Sequence, residues 1–286
     1  MREILYGLVL LLSPTLLGAA ELAKVPPEWN RPLAPFRIID NIYYVGANEL
    51  TSYLITTPEG HILLDSGAAE TVPLILQNIG RLGFRAEDVK ILINSHAHFD
   101  HAGGFAQLKR LTGAKIHLSR EDAPLAARGG RRDPHFGDSV AYEPFTADVF
   151  VRDGRPVSLG GVRVTPHLTP GHTQGCTSWS MTASEGGEKH EVVFICSVTA
   201  PEYRLVGNRA YPDAVSDYRR AFKVLKSLDA DVLLAAHGSF FDLTRKAPKG
   251  GSSPNPFIDA QEYRLFVERS EKAIEEKIAA QSTAAE

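Results

Sequence analysis

Cysteine is scarce in this chain, and neither sign of charge predominates. Two cysteines among 286 residues exclude a disulfide-rich scaffold, and 31 basic against 34 acidic residues give a formal net charge of −3. This balance provides no overall positive field to hold nucleic acid or an anionic membrane, so we exclude both partners. The sequence has no low-complexity segment and no short-period repeat. Its 43% of hydrophobic residues is typical of a folded globular protein.

The N-terminus carries a pronounced apolar run. Arg2 precedes apolar residues at 4–12, and small residues follow at 18–20. Ser13 and Pro14 interrupt the run, which falls short of the roughly 20 residues that span a bilayer, so a membrane anchor is disfavoured. We therefore expect residues 1–20 to be a secretory signal peptide cleaved near Ala20. The mature chain is then expected in the periplasm, without attachment to the membrane.

The two cysteines, Cys176 and Cys196, form an even pair. In an oxidising compartment such a pair is more often bonded than free, so we predict a disulfide between them. Two buried thiols are the alternative, and the bond requires Cα atoms within about 7 Å of each other.

Short apolar runs typical of strands alternate with segments that have the periodicity of helices. Strands come first in each half of the chain and helices later, which predicts two sheets packed face to face with helices outside. A proline-rich arm over residues 25–36 is expected to be extended, and a long polar loop over 128–145 is expected to be functional or mobile. The predicted strands are 42–45, 52–56, 61–65, 89–94, 115–118, 156–159, 162–168, 177–181, 191–196 and 232–235, and the predicted helices are 70–82, 105–111, 120–127, 213–228 and 257–280.

Four potential metal ligands lie within six residues, directly after the predicted strand 89–94. In an extended segment, His96 and His98 point the same way and can chelate one cation. Asp100 and His101 can face a neighbouring cation where the chain turns. Imidazole nitrogens with a carboxylate oxygen suit zinc better than calcium or magnesium. The alternative is a polar loop in which Asp100 caps the next helix and the histidines are solvated.

Two further histidines also follow predicted strands. His172 lies in a Pro-Gly-His-Thr segment at 170–173, and His237 lies in an Ala-His-Gly segment at 236–238. Each alone would be an ordinary turn histidine. Together with residues 96–101 they complete three histidines for one metal ion and Asp-His-His for a second.

The motif His-x-His-x-Asp-His at 96–101 resembles the metallo-β-lactamase superfamily, and the likeness covers nearly all of the chain from Trp29 to the terminal helix. The resemblance implies a four-layer αββα sandwich, an α/β fold with two mixed sheets, formed by a single domain over residues 21–286. It implies that Asp65 is a buried structural residue and that Asp100 both ligates and orients the attacking hydroxide. It also implies two Zn²⁺ ions, the first held by His96, His98 and His172 and the second by Asp100, His101 and His237.

The segment 194–201 indicates the branch of the superfamily. Glyoxalase II and the lactonases carry an aspartate that bridges the two metals near this point, whereas this chain has Ser197 and no carboxylate. The third subclass of class B β-lactamases, subclass B3, has a serine and keeps all five histidines and the aspartate, so the sequence is similar to that subclass. A register slip of one residue would instead make Cys196 a zinc thiolate, which a disulfide with Cys176 would preclude.

The resemblance therefore implies a periplasmic zinc-dependent β-lactamase that opens the lactam ring of penicillins, cephalosporins and carbapenems with a zinc-bound hydroxide and so confers antibiotic resistance. An exported metal-dependent hydrolase of lactones, esters or thioesters is the alternative, and an exported iron-binding or redox protein is a third possibility. We expect a small-molecule substrate and a monomeric enzyme. The side chains expected to contact the substrate are Ser197, Thr199, Tyr203, Trp29 and Phe136.

Overall fold

The computed structural model describes residues 22–248 and 254–284. The expected signal peptide lies outside these residues. Within them, no helix combines the length and hydrophobicity that a membrane span needs. The helices are α1 Val72–Arg81, α2 Phe99–Ala102, α3 Phe105–Thr112, α4 Ala123–Ala127, α5 Ala214–Lys226, α6 Leu243–Lys246 and α7 Ala260–Thr283. The strands are β1 Phe36–Ile39, β2 Ile42–Tyr44, β3 Tyr53–Thr57, β4 Gly60–Leu64, β5 Val89–Ile93, β6 Lys115–Leu118, β7 Val149–Phe150, β8 Val157–Leu159, β9 Val162–Leu168, β10 Thr177–Glu185, β11 Glu188–Ile195 and β12 Val232–Ala235.

The strands form two mixed sheets. The first sheet runs in the order β1 to β7, antiparallel from β1 to β4 and parallel from β4 to β7. The second sheet has the order β12-β11-β10-β9-β8, in which β11 and β12 are parallel and the remaining pairs are antiparallel. The chain connects each pair of parallel neighbours through at least one helix. Parallel strands need such a crossover, because a hairpin joins only antiparallel strands.

Alternation along the strands separates the layers. In β4, Ile62 and Leu64 belong to the core between the sheets, together with Trp179 and Phe194 of the second sheet. Leu63, the residue between them, packs instead in a separate core with the residues of α1 and α3, because successive strand side chains point to opposite faces. Helices α5 and α7 pack against strands β9 and β12 of the second sheet. The predicted four-layer αββα sandwich is therefore confirmed.

Several predictions of local secondary structure were wrong. The arm at 25–36 makes a turn at 27–30 and ends in β1, and neither β1 nor the two-residue β7 was predicted. The helix predicted over 120–127 begins only at Ala123. The terminal helix begins at Ala260, three residues later than predicted, because the Asp259 side chain accepts hydrogen bonds from the N–H groups of Gln261 and Glu262 and so caps the helix there.

The sheet edge formed by the ends of β5, β9, β11 and β12 positions the predicted site. The N–H of Thr177 donates to the carbonyl of Ser95 (2.8 Å), and the N–H of Thr51 donates to that of Ala236 (3.4 Å). These bonds join the two sheets immediately beside the histidine-bearing loops, so residues from distant parts of the chain meet at one edge.

Candidate active site

The motif at 96–101 follows β5 and enters a short helix. His98 has extended backbone angles (φ −85°, ψ 156°) and precedes α2, which carries Asp100 and His101. The change from extended chain to helix turns the two pairs of side chains toward different neighbours. The four side chains of the motif are buried, which excludes the alternative of a solvated polar loop.

Three histidines converge in one group. Nδ1 of His98 lies 3.1 Å from Nε2 of His172. The ring of His96 is 4.9 Å from that of His98 and 4.7 Å from that of His172, measured between centroids. One nitrogen from each of the three rings lies within 4.8 Å of the other two. Among the described residues, Nε2 of His96 is buried and has no hydrogen-bond partner.

Asp100, His101 and His237 form a second group beside the first. Oδ2 of Asp100 lies 3.3 Å from Nε2 of His101 and 3.6 Å from Nε2 of His237. The two imidazole Nε2 atoms are 3.2 Å apart. The rings of His96 and His101 are 4.3 Å apart, so the two groups adjoin each other.

The donor atoms of both groups fit a metal ion. A tetrahedral zinc ion with bonds of about 2.0–2.1 Å separates its ligand atoms by about 3.3–3.4 Å, close to the 3.1 Å between His98 and His172 and to the 3.2–3.6 Å separations in the second group. Burial and the neighbouring imidazoles lower the pKa values of His96 and His172. Both rings are therefore neutral at pH 7, which is the form that binds a metal. The orphaned nitrogen of His96 supplies the missing third donor of its group.

The second group favours a positive charge. Burial raises the pKa of Asp100, but His101 more than reverses this effect, so the carboxylate is ionised. Burial lowers the pKa of His101, whereas Asp100 and Asp65 together raise it to about 10. The position therefore holds a proton in the absence of any other cation, and a bound metal ion would supply the same charge.

The ring nitrogens that face away from the two groups also lie near acceptor atoms. Such outer partners orient metal-binding histidines and fix their tautomers. They are Ser95 Oγ at 3.0 Å from His96, Asp133 Oδ2 at 3.1 Å from His98, Asp65 Oδ2 at 3.5 Å from His101, the Thr199 carbonyl at 2.8 Å from His172 and Glu49 Oε1 at 3.4 Å from His237.

Asp65 is buried, as expected of a structural residue. Its carboxylate accepts hydrogen bonds from Asn94 Nδ2 (3.0 Å), the N–H of Ser95 (2.7 Å) and Ser95 Oγ (2.6 Å). It thereby fixes the start of the motif loop. Its Oδ2 atom also lies 3.5 Å from Nδ1 of His101, the ring nitrogen that faces away from the second group.

Asp122 connects the two histidine-bearing loops, and sequence reasoning missed it. Its carboxylate accepts hydrogen bonds from the N–H of Ala97 (2.9 Å), Thr173 Oγ1 (2.8 Å) and the N–H of Gly175 (2.8 Å). A Cβ atom on residue 175 would lie 2.1 Å from Oγ of Ser119, so only glycine fits this close approach. Sequence reasoning also missed Asp133 and Glu49. Like Asp122, each is a single acidic residue outside the regular elements, without a recognisable spacing to the histidines.

Cys176 and Cys196 form the predicted disulfide, with Cα atoms 5.9 Å apart. Their sulfur atoms lie near His96, but each is bonded to the other. The alternative in which Cys196 is a zinc thiolate is therefore excluded in this structure, as is a pair of free thiols.

The residues predicted to contact the substrate surround the two groups. The ring of Trp29 lies 5.5 Å from that of His237, edge to face, and the ring of Phe136 lies 5.7 Å from that of His98. The hydroxyl of Tyr203 is 3.4 Å from Nδ1 of His172.

Ser197 and Thr199 belong to the segment that follows β11, and Thr199 contacts His172. Their hydroxyl groups are 3.2 Å from each other. The carbonyl of Thr199 accepts hydrogen bonds from His172 and from the hydroxyl of Tyr218 (2.6 Å). The segment that carries both hydroxyls is thus anchored directly to one of the clustered histidines.

Comparison with known proteins identifies the family. Residues 46–237, more than half of the chain, match the metallo-beta-lactamase superfamily. The chain belongs to this superfamily. It is a hydrolase of the metallo-β-lactamase type, and the resemblance seen in the motif at 96–101 is confirmed.

Solved structures resemble this hydrolase over nearly their whole length. The native FEZ-1 metallo-beta-lactamase from Legionella gormanii is 41% identical, with a TM-score of 0.86 over 89% of this chain and 98% of that one. BJP-1, a subclass B3 metallo-beta-lactamase of Bradyrhizobium japonicum, is 39% identical, with a TM-score of 0.85 over 91% of this chain and 98% of that one.

Curated relatives match a smaller part of the sequence. A hydroxyacylglutathione hydrolase of Maricaulis maris (strain MCS10) is 33% identical over 122 residues, which are 41% of this chain and 40% of the relative. The chain thus spans about two fifths of that relative's length. An N-acyl homoserine lactonase of Bacillus cereus is 33% identical over 75 residues, 18% of this chain and 30% of the relative.

Proposed function

We propose that this hydrolase is a periplasmic zinc-dependent β-lactamase of subclass B3 that opens the ring of penicillins, cephalosporins and carbapenems and so confers antibiotic resistance. The observation that carries the proposal is the convergence of five histidines and Asp100 from three separate segments of the chain into two adjoining groups of donor atoms. The solved β-lactamases that this chain resembles over most of its length support the choice of substrate.

In this proposal each group holds one zinc ion. The first would be held by His96, His98 and His172, and the second by Asp100, His101 and His237. A zinc pair supplies Lewis acidity and lowers the pKa of water toward neutrality, so the site needs no separate protein base. The outer carboxylates, together with the Thr199 carbonyl and the Ser95 hydroxyl, keep each imidazole in the tautomer whose lone pair faces the group.

The residues of the chain then bind and orient the substrate. Asp100 is the catalytic residue, because its carboxylate contacts both histidines of the second group, also lies within 4.8 Å of a ring nitrogen of His96, and can accept a hydrogen bond from the attacking water. Ser197 and Thr199 offer two neighbouring hydroxyl donors for the substrate carboxylate. Trp29 lies next to His237 and Phe136 lies next to His98, where the two rings pack on the substrate's apolar groups and exclude water.

The periplasmic location fits the disulfide between Cys176 and Cys196, since disulfides persist in oxidising compartments. A monomeric state is part of the same proposal. The signal peptide at 1–20 belongs to this proposal. N-terminal sequencing of protein recovered from the periplasmic fraction checks it: a mature chain beginning near residue 21 is expected, and an intact N-terminus in the cytoplasm contradicts it.

Hydrolysis of a thioester or lactone is the second candidate. The partial matches to a hydroxyacylglutathione hydrolase and a lactonase favour it. The absence of a carboxylate from the segment 194–201 argues against it, because this chain offers only Ser197 where those branches carry a bridging aspartate.

A substrate panel separates the two candidates. Purified protein loaded with zinc is assayed against a chromogenic cephalosporin, a penicillin, a carbapenem, an acyl homoserine lactone and a glutathione thioester, with and without a chelator. We expect chelator-sensitive opening of the three β-lactams. Hydrolysis of the lactone or the thioester with no effect on the β-lactams would refute the proposal.

A further inference from the structure

One buried carboxylate of the long loop that joins α4 to β7 contacts the first histidine group. Asp133 belongs to this loop, residues 128–148, and its side chain is 1% exposed. Oδ2 of Asp133 lies 3.1 Å from Nε2 of His98. Its other oxygen, Oδ1, accepts hydrogen bonds from the N–H groups of His135 (2.8 Å) and Phe136 (2.9 Å).

The contact with His98 decides which ring nitrogen carries the proton. A neutral imidazole has one N–H and one lone pair. Since the Asp133 carboxylate only accepts hydrogen bonds, it requires the N–H of His98 at Nε2. The lone pair of His98 then resides on Nδ1, the atom that faces His172 at 3.1 Å. This is the tautomer that a metal ion in the first group needs.

The contacts with the backbone decide where the loop lies. Phe136, whose backbone N–H donates to Oδ1 of Asp133, places its ring 5.7 Å from the ring of His98 and 5.4 Å from that of Tyr203. The neighbouring ring of His135 stacks on Tyr203 at 3.6 Å between centroids. A single carboxylate therefore holds both a histidine of the first group and the aromatic residues that cover it.

We propose that Asp133 is a positioning residue that couples cation binding in the first group to the conformation of loop 128–148. A cation on Nδ1 makes the N–H at Nε2 of His98 a stronger donor and so strengthens its hydrogen bond to Asp133. Because Asp133 also binds the backbone of the loop, the stronger bond orders loop 128–148. By reciprocity, an ordered loop favours cation binding. The coupling rests on the zinc site of the proposed function, but not on any particular substrate.

Asparagine at position 133 separates the two roles. Aspartate presents two acceptor oxygens, whereas asparagine presents one oxygen and an NH₂ group that can only donate. The Asp133→Asn variant can therefore satisfy the loop or His98, but not both, and the two backbone N–H groups of the loop favour the amide oxygen on their side. The NH₂ group then faces Nε2 of His98 and drives the ring proton to Nδ1. Asp133→Ala removes both contacts.

Asp138 provides a matched control in the same loop. It is exposed, and its carboxylate accepts one hydrogen bond, from the N–H of Arg132 at 2.8 Å. Asp138→Asn makes the same chemical change as Asp133→Asn without a contact to any histidine of the two groups. It thus controls for the loss of one negative charge from the loop.

The experiment measures zinc affinity and backbone exchange in the full chain. Zinc dissociation constants come from competition with a chromophoric chelator, and amide hydrogen exchange of residues 128–148 is followed in the metal-free and zinc-loaded proteins. For the native chain and Asp138→Asn, we expect zinc to slow exchange in the loop. For Asp133→Asn, we expect one of the two zinc ions to bind about 10–100-fold more weakly than in the native chain. Amide exchange in its metal-free loop should be close to that of the native chain, and zinc should slow this exchange only slightly. For Asp133→Ala, we expect weak zinc binding and fast loop exchange together.

Two results would overturn the inference. If both Asp133 variants bind zinc within twofold of Asp138→Asn, the residue does not position His98. If zinc leaves loop exchange unchanged in the native chain, the site and the loop are not coupled. A native chain that binds no zinc contradicts the proposed function as well, whereas a zinc-binding native chain with unaffected variants contradicts the coupling alone.

Discussion

Replacement of Asp122 by alanine is expected to destabilise the fold substantially. The carboxylate is 1% exposed and accepts hydrogen bonds from two backbone N–H groups, of Ala97 and Gly175, and from the Thr173 hydroxyl. The hydroxyl can rotate to another acceptor, but the two N–H groups lose their partner in a buried position. Each such group costs about 1–3 kcal/mol, or about 2–6 kcal/mol for the pair. This is a large share of the roughly 5–15 kcal/mol that stabilises a typical protein.

Urea unfolding, followed by the fluorescence of the buried Trp179 and by circular dichroism, measures this loss. Asp138→Ala is the control, because it also removes an aspartate that accepts a backbone hydrogen bond, but at an exposed position where water replaces it. Asp122→Asn keeps one acceptor oxygen and should lie between the two. The free energy of unfolding of Asp122→Ala should lie about 2 kcal/mol or more below that of Asp138→Ala, and a difference under about 1 kcal/mol would show that the buried N–H groups do not depend on Asp122.

Three further changes test other parts of the structure. Serine at both Cys176 and Cys196 opens a loop of sequence separation 20, and thermal or urea unfolding should show a loss of about 3 kcal/mol; an unchanged midpoint contradicts a bonded pair. Asp100→Asn should lower kcat by about 100-fold or more with a native circular dichroism spectrum, and native turnover would show that this residue is not catalytic. Gln281 of α7 bonds the backbone of residues 203, 205 and 206, so Gln281→Ala should loosen Tyr203 and raise KM more than it changes kcat; steady-state kinetics with unaltered KM would contradict this.

The ligand candidates could be predicted because they combine two local signals. His96, His98, Asp100 and His101 stand together directly after an apolar strand, and histidines at two other strand ends complete the set. Strand ends gather at the edge of a sheet, so the sequence order already indicates proximity. The layered fold follows from the same alternation of strands and helices, and β4 shows why, since Leu63 and its neighbours face different cores.

The supporting acids could not be predicted in the same way. Asp122, Asp133 and Glu49 are single residues in turns or loops, and their partners are 25, 35 and 188 positions away along the chain. Only the folded chain brings these acids into contact with the histidines or with the loops that carry them. Element ends were missed for a related reason, because the start of α7 depends on the cap formed by Asp259 and not on the hydrophobic pattern.

The number of zinc ions bound per chain tests the central claim most directly. Elemental analysis after dialysis against limiting free zinc should give two ions for the native chain and one for a His237→Ala variant that retains the first group, with hydrolysis of a chromogenic cephalosporin falling as the second ion is lost. A native chain that retains no zinc, or a His237→Ala variant that still holds two ions, would contradict the assignment of these six side chains to a pair of metal sites.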